Sequence, residues 1–544
     1  MKEQKTISNW KIIAGLSGGI IIAVVWKFAL LYSGVFPFNS DEAIVGLMAR
    51  HILNGEFPIF FYGQAYMGSL DAFLVAAGFW IFGESVQAIR YIQILLYCGV
   101  LLTTFWLSSL VLRSYLAALI SVFLLAIPTV NMTLYTTVSL GGYGEALLIG
   151  NLLLCLGFLS VVAIKGKNNN KKSIFLLLGW GFLAGLGLWA NGITLVYSIP
   201  VGVVLAYTIW QHKKTSKGIL LLVSVLLGGI IGATPWLIYA VQNSSSQLMQ
   251  ELFGSAVAVE GGSWISQVLA HTVSFILLGV PVTLGFRPPW EVRWLVLPLI
   301  PFVSFFWILV IRFGKRSKNK TTNDKDWFRL VLASVAACLI MMFIFTHFGV
   351  DPSGRYFLPL SIVLAVFGGD FIERGIMNKI WKWMALCLII SFQFIGTIQC
   401  MQRNPPGITT QFDASAVLDH RYDKELINFL RSNDETRGYS NYWVSYPLAF
   451  LSQEELIFTP RLPYHQDLRY TSRDDRYPPY GEIVTQSLRT SLITTKNSSL
   501  DKRIRELLFE KKMEWKEKVI GDYRVFYTLS APIRESDFHF LDQP

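Results

Sequence analysis

The chain has 544 residues, of which 53% are hydrophobic and 15% are charged, and its mean hydropathy is +0.46. Repeated apolar runs of about 20 residues indicate a multi-span membrane protein and exclude a soluble globular protein. The formal net charge of +11 does not indicate nucleic-acid binding, because the basic residues lie mainly in loops between the apolar runs.

The first apolar run, residues 12–32, predicts a membrane span. Lys2, Lys5 and Lys11 precede it, as basic residues precede the apolar core of a signal peptide. The run is too long for such a core and has no small-x-small cleavage site, so we expect it to remain as an uncleaved first span. Ten further apolar runs predict spans near residues 90–112, 115–138, 143–164, 173–190, 191–210, 218–240, 292–312, 327–347, 355–372 and 380–400.

Two shorter apolar runs, residues 72–83 and 272–286, determine how many spans the chain has and on which side of the membrane each loop lies. Short basic loops belong in the cytoplasm. The three most basic loops are KGKNNNKK (165–172), QHKKTSK (211–217) and RFGKRSKNK (312–320). With the N-terminus cytoplasmic, the first two fall outside if both short runs span, and all three fall inside if neither spans. The sequence therefore predicts about eleven spans and two re-entrant or interfacial segments, in a multi-pass protein of the plasma (inner) membrane.

The charge distribution predicts a second domain after the last span. Residues 401–544 contain 20 basic and 21 acidic residues, whereas the whole chain contains 47 and 36. We therefore predict a transmembrane domain over residues 1–400 and a soluble extracytoplasmic domain over 401–544. Helix-like segments (YDKELINFLRSN, VSYPLAFLSQ, SLDKRIRELLFEKK) alternate there with strand-like ones (TRGYSNYW, ELIFTP, TSLITT, EWKEKVI, DYRVFYTLS), which is typical of an α/β fold.

The first loop carries two adjacent carboxylates, Asp41 and Glu42, in the stretch FNSDEAIVGLMARHILNGEFP (38–58). One interpretation is a helix cap, in which Ser40 or Asp41 caps a helix over residues 42–54. The other is functional, because ionisable groups at a membrane surface are expensive to keep. The helix is amphipathic, and we expect it to lie on the bilayer.

In this topology the polar residues of the loops face outward, where no nucleotide sugar is available. A substrate at that face must arrive already activated, and a lipid-phosphate carrier is the natural form. Five cysteines lie in or at the end of apolar segments without metal-ligand spacing, so we expect neither a zinc site nor a disulfide.

The stretch SDEAIVGLMARHILNGEFP resembles the first-loop motif of the GT-C glycosyltransferases, in the branch that contains the protein O-mannosyltransferases and the bacterial aminoarabinose transferase. FGESVQAIR then leads into the next span, a polar turn with an acid follows two spans later, and GRYFLPL opens a late span, as in that branch. The resemblance covers roughly residues 10–400. It implies transfer of a sugar from a polyprenyl-phosphate donor to an extracytoplasmic glycan, lipid or protein acceptor.

The resemblance implies that Asp41 is the catalytic acid-motif residue. A carboxylate suits this reaction because the acceptor hydroxyl must lose a proton, and the phosphate leaving group needs no paired acid. Glu42 would share this role, or would bind a divalent cation together with Asp41; the sequence indicates no other cofactor. Glu145, in TVSLGGYGEALLIG, stands where the family's second motif has an aspartate, but here the acid is glutamate and glycines replace the preceding arginine. The alternative is a plain helix N-terminus at the membrane interface.

The donor phosphate needs cations and polar contacts. Arg355 opens a span in VDPSGRYFLPL, and its guanidinium can bind phosphate bidentately; the alternative is an arginine that reaches the membrane interface. The aminoarabinose transferase pattern has a Glu-Lys-Pro that is missing here, so Gln64 and Tyr66 are its expected replacements. Three further arginines are weaker candidates: Arg90, Arg287 and Arg293.

Three alternatives to an active glycosyltransferase remain open, one of them an inactive homologue whose soluble domain binds a partner. A lipid-linked glycan ligase or polymerase would use a similar fold and donor. A lipid or glycan transporter or flippase belongs to a different class, and it is disfavoured because the charges cluster at one face of the membrane and the sequence shows no repeated halves.

Overall fold

A computed structural model describes residues 8–166, 170–211, 216–242, 262–317, 326–403, 407–409 and 415–538. The chain divides into two compact units. The first unit contains Met1–Ser33, Tyr66–Asp71 and Arg90–Gln402. The second contains Gly34–Ala65, Ala72–Ile89 and Arg403–Pro544. The boundary at Gln402 lies close to the one predicted at residue 400, but the second unit also includes most of the first loop.

The predicted polytopic helical class is confirmed. Within the described ranges, ten helices are long and apolar enough to cross a membrane: Asn9–Tyr32, Val86–Leu112, Tyr143–Lys165, Asn170–Ala190, Gly192–Trp210, Trp264–Thr283, Leu297–Gly314, Trp327–Phe345, Arg355–Gly375 and Lys379–Met401. An eleventh would be the pair Lys217–Gly232 and Thr234–Gln242, which is bent by 63°. The predicted spans differ from this set at two places, residues 115–138 and 272–286.

The predicted span 115–138 is broken into two helices, Tyr115–Ala126 and Val130–Tyr135. The break has a local cause, because the residue before a proline avoids helical angles and Ile127 precedes Pro128 with φ −121° and ψ 87°. Thr129 then caps the second helix by accepting from the Met132 N–H. The first helix alone is about 18 Å long, which is less than the roughly 30 Å of a hydrocarbon core.

Contacts with the helix Asn9–Tyr32 show that the broken segment still advances in one direction. A Cβ on Gly15 would meet Leu119, and a Cβ on Gly19 would meet Val122. Farther along, Lys27 donates to Thr136. The two segments therefore run parallel over about 18 Å, the rise from Gly15 to Lys27, which agrees with a single interrupted span.

Lys27 is buried inside the first unit, with 1% of its surface exposed. Its ammonium donates to the Thr136 carbonyl at 2.9 Å, to Thr136 Oγ1 at 2.8 Å and to Thr137 Oγ1 at 2.7 Å. It also lies 4.2 Å from the centre of the Tyr97 ring. A cation at the carbonyl end of a helix is favourable, so Lys27 stabilises the end of the helix Val130–Tyr135.

Residues 264–283 are long and apolar enough to span, which does not match the non-spanning segment predicted over 272–286. Trp264 stacks on Phe345, and His271 Nδ1 contacts the Ile344 carbonyl at 3.0 Å. Phe275, about 16 Å farther along the helix, also packs against this region, at Phe343. The helix Trp264–Ser274 therefore crosses the end of its neighbour instead of running along it.

The other short run forms the helix Leu70–Phe82. Its 13 residues give a length of about 20 Å, so it is too short to span, as predicted. It follows a two-stranded hairpin, β1 (Phe60–Phe61) and β2 (Gln64–Gly68).

The second unit contains the predicted α/β fold, and all eight predicted helices and strands are present. The strands are β3 (Arg437–Ser440), β4 (Ile457–Pro460), β5 (Ser491–Thr495), β6 (Lys516–Ile520) and β7 (Tyr523–Tyr527), in the sheet order β4-β3-β5-β7-β6. The strands β4, β3 and β5 are parallel, and β7 is antiparallel to both of its neighbours. The helices are Asp423–Ser432, Tyr442–Leu451, Pro479–Gln486 and Ser498–Glu510.

The first-loop helix, Ser40–Leu53, does not have the environment predicted for it. We expected one face on the bilayer, but every residue from Glu42 to His51 is buried within the second unit. The helix packs against the helix Tyr442–Leu451, and a Cβ on Gly46 would come within 2.5 Å of the Phe450 ring. The interfacial interpretation is therefore wrong, because the apolar side chains expected on the lipid (Ile44, Leu47 and Met48) are themselves buried in protein.

The orientation in the membrane stays a prediction. With the N-terminus cytoplasmic, a reporter fused after residue 168 should report the cytoplasm, and one fused after residue 404 should report the outside. Paired alkaline phosphatase and fluorescent protein fusions would measure this. An external signal at residue 168 would contradict the eleven-span topology.

Candidate functional site

Asp41 lies in the first turn of the helix Ser40–Leu53, but it does not cap that helix. The cap is Asn39, whose side-chain oxygen accepts from the Glu42 N–H at 3.1 Å. The predicted cap at Ser40 or Asp41 is wrong because the helix begins two residues earlier than expected. Asp41 instead accepts a 2.5 Å hydrogen bond from the Tyr442 hydroxyl through Oδ1. Its carboxylate is therefore not needed to begin the helix.

Tyr442 is held firmly beside Asp41. It begins the helix Tyr442–Leu451, which Asn441 caps by accepting from the Trp443 N–H, and its carbonyl accepts from the Ser40 hydroxyl at 2.5 Å. Burial and the adjacent Asp41 charge raise the pKa of Tyr442 well above its usual value. The phenol therefore remains a donor to Asp41 at neutral pH.

A segment of the long loop before the helix Pro479–Gln486 completes this cluster. The Tyr446 hydroxyl donates to the Asp474 carbonyl at 3.0 Å and accepts from the Arg476 N–H at 2.5 Å. The Arg476 guanidinium lies 5.6 Å from the centre of the Tyr442 ring. Burial and the Asp41 charge raise the pKa of Asp474 to about 7, against the opposing effect of Arg476.

The far end of the first-loop helix is fixed by Glu454. This carboxylate accepts from His51 Nε2 at 2.9 Å, from the Tyr480 hydroxyl at 2.7 Å and from Arg50 at 3.1 Å. Although burial opposes ionisation, these hydrogen bonds lower the pKa of Glu454 to about 2. Arg50 also bonds to Glu84 and to the Phe450 carbonyl. Both ends of the helix that carries Asp41 are thus held by residues of the second unit.

Glu145 lies in the first unit, in the first turn of the helix Tyr143–Lys165. The turn before it needs glycine, because Gly141 and Gly142 have φ of +97° and +81°. Glu145 is 2% exposed and lies beside the Asp71 carboxyl. Neither of its carboxylate oxygens accepts a hydrogen bond from a donor in the described part of the chain.

Asp71, unlike Glu145, accepts hydrogen bonds from other side chains in the described part of the chain. Its Oδ1 accepts from Gln93 Nε2 at 2.8 Å, and its Oδ2 accepts from the Ser139 hydroxyl at 2.5 Å. Asp71 is itself 2% exposed. Two buried carboxyl groups in contact are unfavourable unless a proton or a cation separates their charges. The first unit therefore carries an acidic pair of its own.

The predicted phosphate-binding arginines have different environments. Arg355 is half-buried, pairs with Asp351 through Nε at 2.6 Å and lies over the Tyr356 ring. Arg287 is buried and donates to the Leu278 carbonyl of the preceding helix, to backbone carbonyls of its own loop and to that of Pro352. Burial lowers the pKa of Arg287 to about 10. Arg287 is therefore better explained as a brace between two loops than as a ligand of phosphate.

The remaining predicted residues are less informative. Arg293 Nε lies 3.3 Å from Glu291 Oε1. Arg90 is buried in the helix Val86–Leu112. Gln64 begins β2, whereas the side chain of Tyr66 lies outside the described residues. Glu42 follows Asp41 in the first turn of the helix Ser40–Leu53, and its side chain is fully buried.

Solved structures resemble this chain over almost its whole length. ArnT from Cupriavidus metallidurans bound to undecaprenyl phosphate aligns with 97% of this chain and 99% of its own, at 9% identity and a TM-score of 0.59. The apo oligosaccharyltransferase of Archaeoglobus fulgidus aligns with 90% of this chain and 70% of its own, at 12% identity and a TM-score of 0.53. The chain has a GT-C fold. No protein-family model and no curated protein matches its sequence.

The GT-C resemblance expected from the first loop is thus confirmed at the level of the fold. The same oligosaccharyltransferase has also been solved in complex with Zn and sulfate, at 13% identity and a TM-score of 0.50. In the described ranges of the present chain, no group of three His, Cys, Asp or Glu residues could hold a metal ion.

The structure also shows residues that sequence reasoning missed. Tyr442, Asp474 and Arg476 belong to the Asp41 cluster, and Asp71 belongs to the Glu145 pair. Neither Asp71 nor the acidic pair Asp474 and Asp475 was among the predicted site residues. Short sequence patterns do not indicate which distant carboxylates meet.

Proposed function

We propose that this GT-C protein is an integral-membrane glycosyltransferase that moves a sugar from a polyprenyl-phosphate donor to an extracytoplasmic acceptor, with Asp41 as the general base. The observation that carries this proposal is the Asp41 environment. Asp41 occupies the first-loop position of the motif, is free of helix capping and is oriented by the buried Tyr442 phenol. ArnT bound to undecaprenyl phosphate supports the donor class.

The proposed reaction needs one proton transfer at Asp41. Tyr442 bonds to Oδ1, which leaves Oδ2 for the acceptor. The acceptor oxygen forms a bond to the anomeric carbon while its proton moves to Asp41 Oδ2. The bond between the anomeric carbon and the phosphate oxygen breaks, and its electron pair leaves with the polyprenyl phosphate. Because phosphate leaves readily, no second residue has to protonate it.

A second candidate is a transferase of larger lipid-linked glycans, which the similarity to the oligosaccharyltransferase favours. One comparison separates the two. Lipid-linked sugars and envelope glycans of cells with and without the gene would be measured by mass spectrometry. Accumulation of a polyprenyl-phosphate monosaccharide without the gene supports the first proposal, and accumulation of a lipid-linked oligosaccharide supports the second. Unchanged lipid-linked sugars and glycans would contradict both.

In this proposal Arg355 binds the donor phosphate. Its guanidinium meets Asp351 through Nε, so its two terminal nitrogens are the groups proposed to bind phosphate. A planar guanidinium can bind two phosphate oxygens at once, whereas an ammonium acts as a single point charge.

We therefore expect Arg355→Lys to weaken undecaprenyl phosphate binding roughly tenfold and Arg355→Ala to weaken it further, since a charge-assisted hydrogen bond contributes about 1.5–3 kcal/mol. Binding would be measured with purified protein in nanodiscs. Arg312→Lys is the matched control, because Arg312 is an exposed arginine at the end of another helix, Ile300–Ser317. Equal affinities for wild type and Arg355→Ala would return Arg355 to the interfacial interpretation.

A further inference from the structure

The Glu145 carboxyl is buried beside a second negative group. It is 2% exposed, and neither of its oxygens accepts a hydrogen bond from a donor in the described residues. It is in hydrogen-bonding contact with the Asp71 carboxyl, which is also 2% exposed. Asp71 accepts from Gln93 Nε2 at 2.8 Å and from the Ser139 hydroxyl at 2.5 Å. These donors favour an ionised Asp71, so Glu145 faces a negative charge.

The end of a neighbouring helix makes this place still more negative. The helix Asn170–Ala190 ends here. The Ala190 carbonyl oxygen and Glu145 Oε2 both lie 3.8 Å from the position that a Cβ on Gly142 would take. The carbonyl end of a helix carries a partial negative charge of about half a unit. A helix end of this sign therefore faces a carboxyl group that has no donor in the described residues.

A further oxygen lies next to Glu145. Gln93 donates to Asp71 through Nε2, and its Oε1 lies 3.3 Å from the position that a Cβ on Gly144 would take. Carboxylate, carbonyl, amide and hydroxyl oxygens thus meet in the first unit. This is the ligand chemistry of hard divalent cations, which prefer oxygen to nitrogen or sulfur.

We propose that Asp71 and Glu145 together bind one hard divalent cation: Mg²⁺, Ca²⁺ or Mn²⁺. The Ala190 carbonyl, the Gln93 amide and the Ser139 hydroxyl are the neutral oxygens at hand to complete its shell. Two buried carboxylates at the carbonyl end of a helix repel one another, and a cation between them removes that repulsion. Because neutral oxygens and water complete such a shell, the site needs no third acidic residue and no His or Cys.

The bound cation would have a structural effect in the first unit. It would tie Asp71 to the beginning of the helix Tyr143–Lys165 and to the end of the helix Asn170–Ala190. The site contains neither Asp41 nor Glu42. This inference is independent of the proposed function, since cation binding is measured without a sugar donor or an acceptor.

The first test measures binding of Mn²⁺ to the full chain in phosphatidylcholine nanodiscs. After the protein is stripped with EDTA and the EDTA is removed, MnCl₂ would be added and free Mn²⁺ followed by electron paramagnetic resonance. The wild type should bind one Mn²⁺ that Mg²⁺ or Ca²⁺ displaces. Asp71→Asn and Glu145→Gln should each weaken binding roughly tenfold or more, because each removes one of two charged ligands.

Asp467→Asn is the control, because it removes an exposed carboxylate and should leave Mn²⁺ binding unchanged. A wild type that binds no Mn²⁺ would overturn the proposal, and it would mean that a shared proton neutralises the pair. Wild-type affinity in both Asp71→Asn and Glu145→Gln would also overturn it, since the bound ion would then lie elsewhere.

Thermal unfolding separates lost binding from a folding defect in the variants. In EDTA, Glu145→Gln should unfold at a higher temperature than the wild type, because the carboxyl pair is unfavourable without a cation. MnCl₂ should then raise the midpoint of the wild type by a few degrees and leave that of Glu145→Gln unchanged, since only a folded state that binds the ion is stabilised. Equal Mn²⁺ shifts in the two proteins would overturn the proposed site. Full transfer activity in Asp41→Asn would overturn the proposed function and leave this result unaffected.

Discussion

Asp41→Asn should express and fold normally and slow sugar transfer roughly 10²–10⁴-fold, the usual contribution of base catalysis. Asparagine keeps the size of the side chain and still accepts from the Tyr442 hydroxyl, which bonds to Asp41 at 2.5 Å. It cannot take the acceptor proton. The helix start is unaffected, because its cap is Asn39. Single-turnover transfer by purified protein in lipid, with donor binding measured separately, would check the result.

Two matched variants separate catalysis from structure in this test. Asn39→Ala removes the real cap, so it should lower stability by about 1 kcal/mol and leave the chemical step nearly unchanged. Glu42→Gln should affect transfer less than Asp41→Asn if Asp41 acts alone, and comparably if the two carboxylates share a metal. Full transfer by Asp41→Asn would contradict the assignment of Asp41 as the base.

Much of the fold could be predicted because its signals are local. Apolar runs set the spans, and alternating patterns set the α/β sheet of the second unit. The break in residues 115–138 also had a local signal in Pro128, which span counting ignored. The environment of the first-loop helix had no local signal in the sequence. Gly46 is covered by Phe450, about 400 residues away, and a helix pattern cannot distinguish an apolar face on protein from one on lipid.

The sequence predicted a candidate site residue only where a short motif contained that residue. Asp41 was such a residue, but its partners Tyr442 and Asp474 come from the other end of the chain. Arg287 shows the opposite problem. Its residue type and its place in a loop predicted phosphate binding, but its guanidinium donates to backbone carbonyls. No sequence pattern distinguishes these two uses of an arginine.

Glu145→Gln should raise the stability of the protein and lower its transfer activity at once. Glu145 is a buried carboxyl beside Asp71, without a hydrogen-bond donor in the described part of the chain. Burying two carboxyl groups side by side is unfavourable, so replacing one of them with a neutral amide should stabilise the folded protein by on the order of 1–3 kcal/mol. Thermal unfolding of the purified protein in detergent, followed by the transfer assay, would measure both effects.

Asp370→Asn is the matched control for that experiment. Asp370 is a buried carboxylate too, but it pairs with Arg329 and Arg374, each at 2.9 Å. Removing its charge leaves two arginines without their partner, so stability should fall by about 3–5 kcal/mol. Opposite shifts of the unfolding midpoint in the two variants would show that the surroundings of each carboxylate, and not burial alone, set the sign.

The two measurements together decide what Glu145 does. A destabilising carboxylate persists in a protein only where function requires it, because a neutral residue would otherwise be more stable. A higher midpoint with reduced transfer would therefore support Glu145 as a site residue. A higher midpoint with unchanged transfer would remove it from the site, and a lower midpoint would mean that a structural interaction holds the carboxyl in place. Only the first outcome is compatible with the role that the GT-C resemblance implies for the second acidic motif.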